Sequence, residues 1–325
     1  MANGVLFILL CLFLGTSYAW TKLGLEGFDP LTFVLIRLLI GAAVLAAWMR
    51  VRRESVPRSP RVLRGLGLLG AVNVWGAFVL ITWGQQYVSS SHAAILVASG
   101  PVFTAVGAGF LLPDERLDRR RAAGVLVGFV GVAALFADDL GGGGAAEHTR
   151  AQELVGAGAV VLGAVIVASV AIAVRLRVRG LSPAQIALPQ VLAGAVTIGT
   201  LMTVLALTGN ASFHADPWAP TVLVGLLALG VFNAGFGNVV YYRLILKWGV
   251  TRTALVGYAA PFIGAAVGVA FLDERVGPGA AIGLALAIVG LVWVHRRAAD
   301  VADRSTSGVV SGVTTGTAHI ERSPA

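Results

Sequence analysis

A chain of 325 residues that is 57% hydrophobic and only 12% charged, with a mean hydropathy of +0.84, carries half the charge of a soluble domain, where about 25% is usual. That excludes an ordinary soluble fold and points to a membrane protein, and the lone Cys11 excludes an intrachain disulfide and a cysteine zinc site. The net charge of +8 would suit nucleic acid, but its placement along the chain assigns it to cytoplasmic loops instead.

The opening MANGVLFILLCLFLGTSYAW resembles a signal peptide, with Ser17-Tyr18-Ala19 as a small-residue cleavage site. No Lys or Arg precedes its apolar run, so it is read as a retained first helix. A bilayer core needs ~20 apolar residues per helix. Ten stretches meet or approach that length: 4–20, 30–49, 65–86, 90–112, 122–137, 154–174, 183–207, 219–242, 251–272 and 278–295. From Ala299 the tail is rich in Ser, Thr and Gly and reads as disordered.

With the N-terminus cytoplasmic, 20 of the 24 Lys and Arg fall in inside segments, among them Arg50 to Arg64, Arg116 to Arg121, Arg175 to Arg179 and Arg243 to Arg252. Outside are Lys22, Arg150 and Arg275, and Arg37 lies within a helix. The positive-inside rule then places both termini in the cytoplasm, which agrees with an even count of ten helices.

The fourth stretch recurs. Ser91 to Arg116 reads SHAAILVASGPVFTAVGAGFLLPDER, and Thr251 to Arg275 reads TRTALVGYAAPFIGAAVGVAFLDER. Pro101 falls on Pro261, and Glu115-Arg116 on Glu274-Arg275 after one extra residue. Likewise Pro30 falls on Pro183, Arg37 on Gln190, Gly41 on Gly194, Asn73 on Asn233, Gly124 on Gly283 and Gly131 on Gly290. The repeat divides the chain into residues 1–137, a Gly-rich external linker 138–153, residues 154–298 and a cytoplasmic tail 299–325. Five helices per half is an odd number, so the second half enters the membrane from the opposite side. Inverted repeats of this kind are a transporter architecture, with the binding site near the midplane. Channels and some membrane enzymes also repeat internally.

Several residues stand out against this frame. Pro101 and Pro261 lie about ten residues into their helices, ~15 Å deep and near the bilayer centre. They are either packed kinks or paired gate elements. Asn73 and Asn233 sit at similar depth, as interhelical hydrogen bonds or as solute contacts. Trp75 and Phe236 follow them along the same helices, and Ser99 and Tyr258 flank the prolines. Ser17 adds a small polar group that could instead bond its own backbone. Tyr241 and Tyr242 are placed for an aromatic belt at the cytoplasmic interface. Arg37 either snorkels outward or faces the bundle. His92, near the outer mouth, is either an exposed loop-end residue or a proton-coupling group. Glu115-Arg116 and Glu274-Arg275 are either interfacial ion pairs or latches made in one state only.

Absences also bear on function. No Asp or Glu lies inside an expected span, so a carboxylate ion site is not evident. There is no HExxH, GxSxG or P-loop, which argues against an enzyme, and no cofactor is implied.

Two inverted five-helix repeats, each with a mid-helix proline in its fourth helix followed by a terminal Glu-Arg (Pro101 with Glu115-Arg116 and Pro261 with Glu274-Arg275), resemble the EamA-type members of the drug/metabolite transporter superfamily. Pro30 with Arg37, and Gly124, Gly131, Gly283 and Gly290, support the resemblance, which runs from about Met1 to His295. It implies an all-α integral membrane protein and ATP-independent secondary transport by alternating access. The central cavity would be lined mainly by helices 1, 3, 4, 6, 8 and 9. Family substrates include amino acids, nucleosides, other metabolites and drugs, with efflux frequent in bacterial members. The aromatic and amide candidates point to a neutral, zwitterionic or aromatic solute. The expected partners are that small molecule and the lipid bilayer. Proton coupling, a monomer or a homodimer are all compatible with the sequence. An uptake permease, or a non-transporting membrane enzyme or scaffold, is the alternative.

Overall fold

A computed structural model describes residues 2–25, 27–84, 87–88, 90–115, 117–135, 149–178, 180–209, 219–271, 279 and 282–294. The described elements are helical. In chain order they are α1 (Ala2–Leu25), α2 (Pro30–Val51), α3 (Pro60–Val74), α4 (Ser90–Val97), α5 (Gly100–Leu111), α6 (Arg119–Leu135), α7 (Arg150–Arg177), α8 (Pro183–Leu207), α9 (Pro220–Ala228), α10 (Val250–Ala254), α11 (Val256–Phe271) and α12 (Ile282–Val294). α3 continues through a π-helical segment, Trp75–Leu80, into Ile81–Gly84. α9 continues through a longer one, Leu229–Gly237, into Asn238–Trp248.

The helix starts follow from local chemistry. Asp29 accepts from the backbone N–H groups of Leu31 and Thr32, and Pro30 occupies the first turn of α2. Ser182 and Gln185 form a capping box at α8 with Pro183 behind the cap, and Thr149 and Gln152 form another at α7. Proline is suited to the first turn because its missing N–H would have no partner there anyway. Each such cap contributes ~1 kcal/mol.

Pro30–Val51, Arg150–Arg177, Pro183–Leu207 and the continuous Pro220–Trp248 are long and apolar enough to cross a bilayer. The outer surface is apolar too: Phe110 is 86% exposed, Leu207 82% and Val196 68%. Side chains of this kind facing outward on many helices are what hydrocarbon, not water, accommodates.

Small residues set the crossings. Gly41 of α2 lies against Ala234, and Gly194 of α8 against Val74. Gly70 of α3 rests on the backbone of Gln190, where an added Cβ would fall 2.3 Å from the carbonyl oxygen. α6 and α12 meet at Gly124 against Gly290 and at Gly131 against Gly283, with backbone atoms in contact. Close backbone approach through small residues is the main way helices associate in lipid. Three buried clusters result, and each draws on both ends of the chain. One runs from Leu45 and Leu66 to Ile198 and Ile245, another from Leu10 and Val125 to Leu255 and Val294, and a smaller one joins Phe28 and Phe33 to Val222, Leu226 and Leu229.

Candidate functional site

The repeated proline stretches are broken helices rather than single kinked ones. α4 stops at Val97, a turn follows, and α5 restarts at Gly100 with Pro101 in its first turn. In the second copy the break falls at Leu255, and Pro261 lies inside α11. A proline in a first turn needs no N–H partner, so the first break falls beside Pro101. Pro261 instead leaves the Gly257 carbonyl without its helical partner. Gly257 faces the other proline: a Cβ there would stand 3.4 Å from Pro101 Cγ.

One turn before Pro261, Tyr258 is 1% exposed, and its ring covers Gly128 of α6 so closely that a Cβ there would be 2.4 Å away. Its hydroxyl is buried and has no hydrogen-bond partner among the described residues. Tyr258 lines a cavity of about 460 Å³ between α11 and α12, with Phe262, Ile263, Leu284, Ile288 and Leu291 among the other walls. That volume suits a small organic solute. Apart from the tyrosine hydroxyl, its lining side chains are apolar.

The asparagines sit at the π-helical segments, which sequence periodicity did not reveal. Asn73 lies two residues before the start of Trp75–Leu80, and Asn233 lies within Leu229–Gly237. Both are half-buried, and neither amide makes a side-chain hydrogen bond among the described residues. The interhelical hydrogen bond considered from the sequence is therefore not made there. π segments widen the helix and recur at functional sites. Phe236 stacks edge-on against Trp48 of α2 at 5.7 Å, and Phe232 packs on Phe13 of α1 at 5.7 Å. Of the pocket candidates, Tyr258 alone lines the α11–α12 cavity, while Asn233 and Phe236 sit on α9 beside α1 and α2. The Ser17 hydroxyl donates to Leu14 O and that of Ser99 to Leu96 O, each within its own segment. The side chains of Trp75 and His92, and residues Arg116, Glu274 and Arg275, lie outside what the structure describes.

One further expectation is corrected. Tyr242 is not an interfacial belt residue: it is 4% exposed, and its hydroxyl donates to Gln190 Oε1 at 3.0 Å. Gln190, the repeat counterpart of Arg37, spends its amide on Ile186 O as well. An amide 5% exposed needs both bonds to offset its burial. The Nε of Arg37 is enclosed by protein.

The acidic end of α5 also departs from a simple ion pair. Glu115 is 6% exposed. Its Oε1 accepts from the Val250 N–H at 2.6 Å and its Oε2 from the Thr251 N–H at 2.8 Å. Gly249, at φ 92°, leaves the room: a Cβ there would stand 2.4 Å from Oε1. The ion pair belongs to the neighbouring Asp114, 2.8 Å from Arg175, whose other guanidinium nitrogen donates to Leu246 O. The chain segments after α5 and after α9 are thus tied together by a carboxylate. The sequence carried a signal for this in Glu115 recurring as Glu274, but not for the backbone amides as its partners.

Comparison with known proteins identifies the architecture. The model of the EamA-like transporter family matches residues 2–137 and 154–296. A protein named "Probable terminal-alkyne amino-acid exporter" from Streptantibioticus cattleyicolor is 29% identical over 287 residues, spanning 87% of this chain and 89% of that protein. The transporter YvbV of Bacillus subtilis is 23% identical over 299 residues, spanning 91% and 92%. The protein PagO of Salmonella typhimurium is 24% identical over 268 residues, spanning 80% and 81%. A solved structure 21% identical in sequence superposes with a TM-score of 0.75 over 92% of this chain and 98% of its own, a likeness of fold. Apolar outward surfaces, broken proline helices and a family match over both halves lead to one conclusion: the chain is a multi-pass membrane protein and a transporter, not an enzyme, and belongs to the EamA-like transporter family.

Proposed function

We propose that this transporter exports a small neutral or zwitterionic, amino-acid-like solute across the cytoplasmic membrane by alternating access between two inverted five-helix halves. The halves are residues 1–137 and 154–298, giving ten membrane helices, with the linker 138–153 outside and both termini and the tail 299–325 in the cytoplasm. Mirrored contacts support the inverted repeat. Gly41 with Ala234 has its counterpart in Gly194 with Val74, and Gly124 with Gly290 in Gly131 with Gly283. In each case the two partners exchange roles, as a twofold axis in the membrane plane would require.

The observation that carries the mechanism is Glu115 on the backbone of Val250 and Thr251. It joins the two halves at the end rich in Lys and Arg, so this conformation is closed towards the cytoplasm. Opening inward breaks those bonds, with Pro101, Pro261 and the two helix breaks as hinges. Solute is received by Asn73, Asn233 and Tyr258, whose polar groups lack partners among the described residues, with Trp75, Phe236, Ser17 and Ser99 around them. Arg116, Glu274 and Arg275 complete the latches in this reading. The solute class follows the relative named as an amino-acid exporter.

The test is a comparison of amino-acid-like metabolites in the medium and cytosol of cells with and without the protein. Export predicts that a solute accumulates inside and falls outside when the protein is absent. The reverse change assigns uptake, and no change removes this solute class. Repeating the assay across imposed pH gradients decides whether a proton drives transport.

A further inference from the structure

Beside the Glu115 tie is a second, polar cavity of about 130 Å³. It is too small for the solutes that occupy ~300–1,000 Å³ pockets. Its walls carry four cations, Arg121, Arg175, Lys247 and Arg252, against two acids, Asp114 and Glu115. Both acids are already engaged, Glu115 by two backbone N–H groups and Asp114 by Arg175. Lys247 and Arg252 form no salt bridge among the described residues. Lys247 and Arg252 therefore bring positive charge to the cavity without an ion-pair partner among the described residues.

A second feature lies beside these cations. Thr251 is 3% exposed and lines the cavity, and its Oγ1 is buried with no hydrogen-bond partner among the described residues. A buried hydroxyl left in this way costs on the order of 1–3 kcal/mol. An anion resting on the cations would accept from it.

We propose that this pocket binds a phosphate-bearing anion, held by Arg121, Lys247 and Arg252 with Thr251 Oγ1 as hydroxyl donor. Arg121 begins α6 in the first half, and the other three groups follow α9 in the second. The anion bridges the halves where Glu115 already joins them and stabilises that closed end. Its cytoplasmic placement rests on the charge-based orientation above. That leaflet offers anionic phospholipid headgroups as one source, and free phosphate is the other.

The experiment uses the full chain purified in uncharged detergent, so it reads binding without reference to transport. Thermal unfolding and native mass spectrometry are followed with added phosphatidylglycerol, phosphatidylcholine or inorganic phosphate. Phosphatidylglycerol is expected to raise the unfolding midpoint and phosphatidylcholine to leave it unchanged. Arg252→Gln is expected to weaken binding roughly ten-fold, the loss of one charge-assisted hydrogen bond. Lys247→Gln and Thr251→Val are expected to weaken it by smaller factors, and they carry the comparison if Arg252→Gln fails to fold. Stabilisation by inorganic phosphate alone, lost in the same variants, assigns the free anion. No stabilisation by either anion, or equal stabilisation in wild type and all folded variants, overturns the proposal.

Discussion

Two backbone amides, on Val250 and Thr251, each donate to an oxygen of the one Glu115 carboxylate. Glu115→Ala leaves both without that acceptor in a buried place, at about 1–3 kcal/mol for each. The expected outcome is a lower melting midpoint and faster labelling of a cysteine introduced beside Gly249, in a background where Cys11 is replaced. Glu115→Gln keeps one good acceptor and should lose about half as much. An unchanged labelling rate in Glu115→Ala would show that the end stays shut by other contacts. Gly249→Ala is expected to resemble Glu115→Ala, because its side chain would occupy the carboxylate's place at a positive φ. Tyr258 gives the opposite expectation. Its hydroxyl is buried without a protein partner among the described residues, so Tyr258→Phe should not lower stability and should raise it by up to about 1–3 kcal/mol. If that hydroxyl meets the solute, transport by the same variant falls, and equal transport by wild type and Tyr258→Phe removes it from the binding site.

At the scale of whole helices, the glycine contacts carry the packing. Gly131→Leu places a branched side chain where the Ala287 backbone nitrogen already stands 2.6 Å from an ideal Cβ. The expected loss is at least the ~1–3 kcal/mol of an overpacked core, seen as a reduced melting midpoint. Gly4→Leu, whose Cβ meets nothing within 4 Å, is the control and should melt like wild type. Much of this scale was legible in the sequence. Helix positions could be placed from apolar length, and Pro30 and Pro183 marked their starts to the residue. The recurring glycines marked the α6–α12 crossing. The π segments in α3 and α9 were not legible, because an inserted residue leaves an all-apolar helix with no period to disturb. The engagement of Tyr242 with Gln190 was hidden for a related reason. Both residues lie on helices that are apolar nearly all round, so the inward face had no signature. Glu115 could be singled out by its recurrence, yet its partners are main-chain atoms, which carry no residue code.

For the molecule as a whole, orientation is the first thing to establish. A reporter fused after His295 is expected in the cytoplasm, and one inserted within Gly141–Gly144 outside, and the opposite pattern would reverse the reading of the Lys and Arg distribution. The buried clusters each combine residues from both ends of the chain. The early and late parts of the chain therefore share their interior. The contact of Pro101 with Gly257 follows from that sharing. Gly257 is also the residue whose carbonyl Pro261 frees within its own helix. One proline site is thus seated on the other. In thermodynamic language, Pro101→Ala and Pro261→Ala are not independent perturbations: their double-mutant cycle should close with a coupling energy of ~0.5 kcal/mol or more, where unconnected sites would simply add.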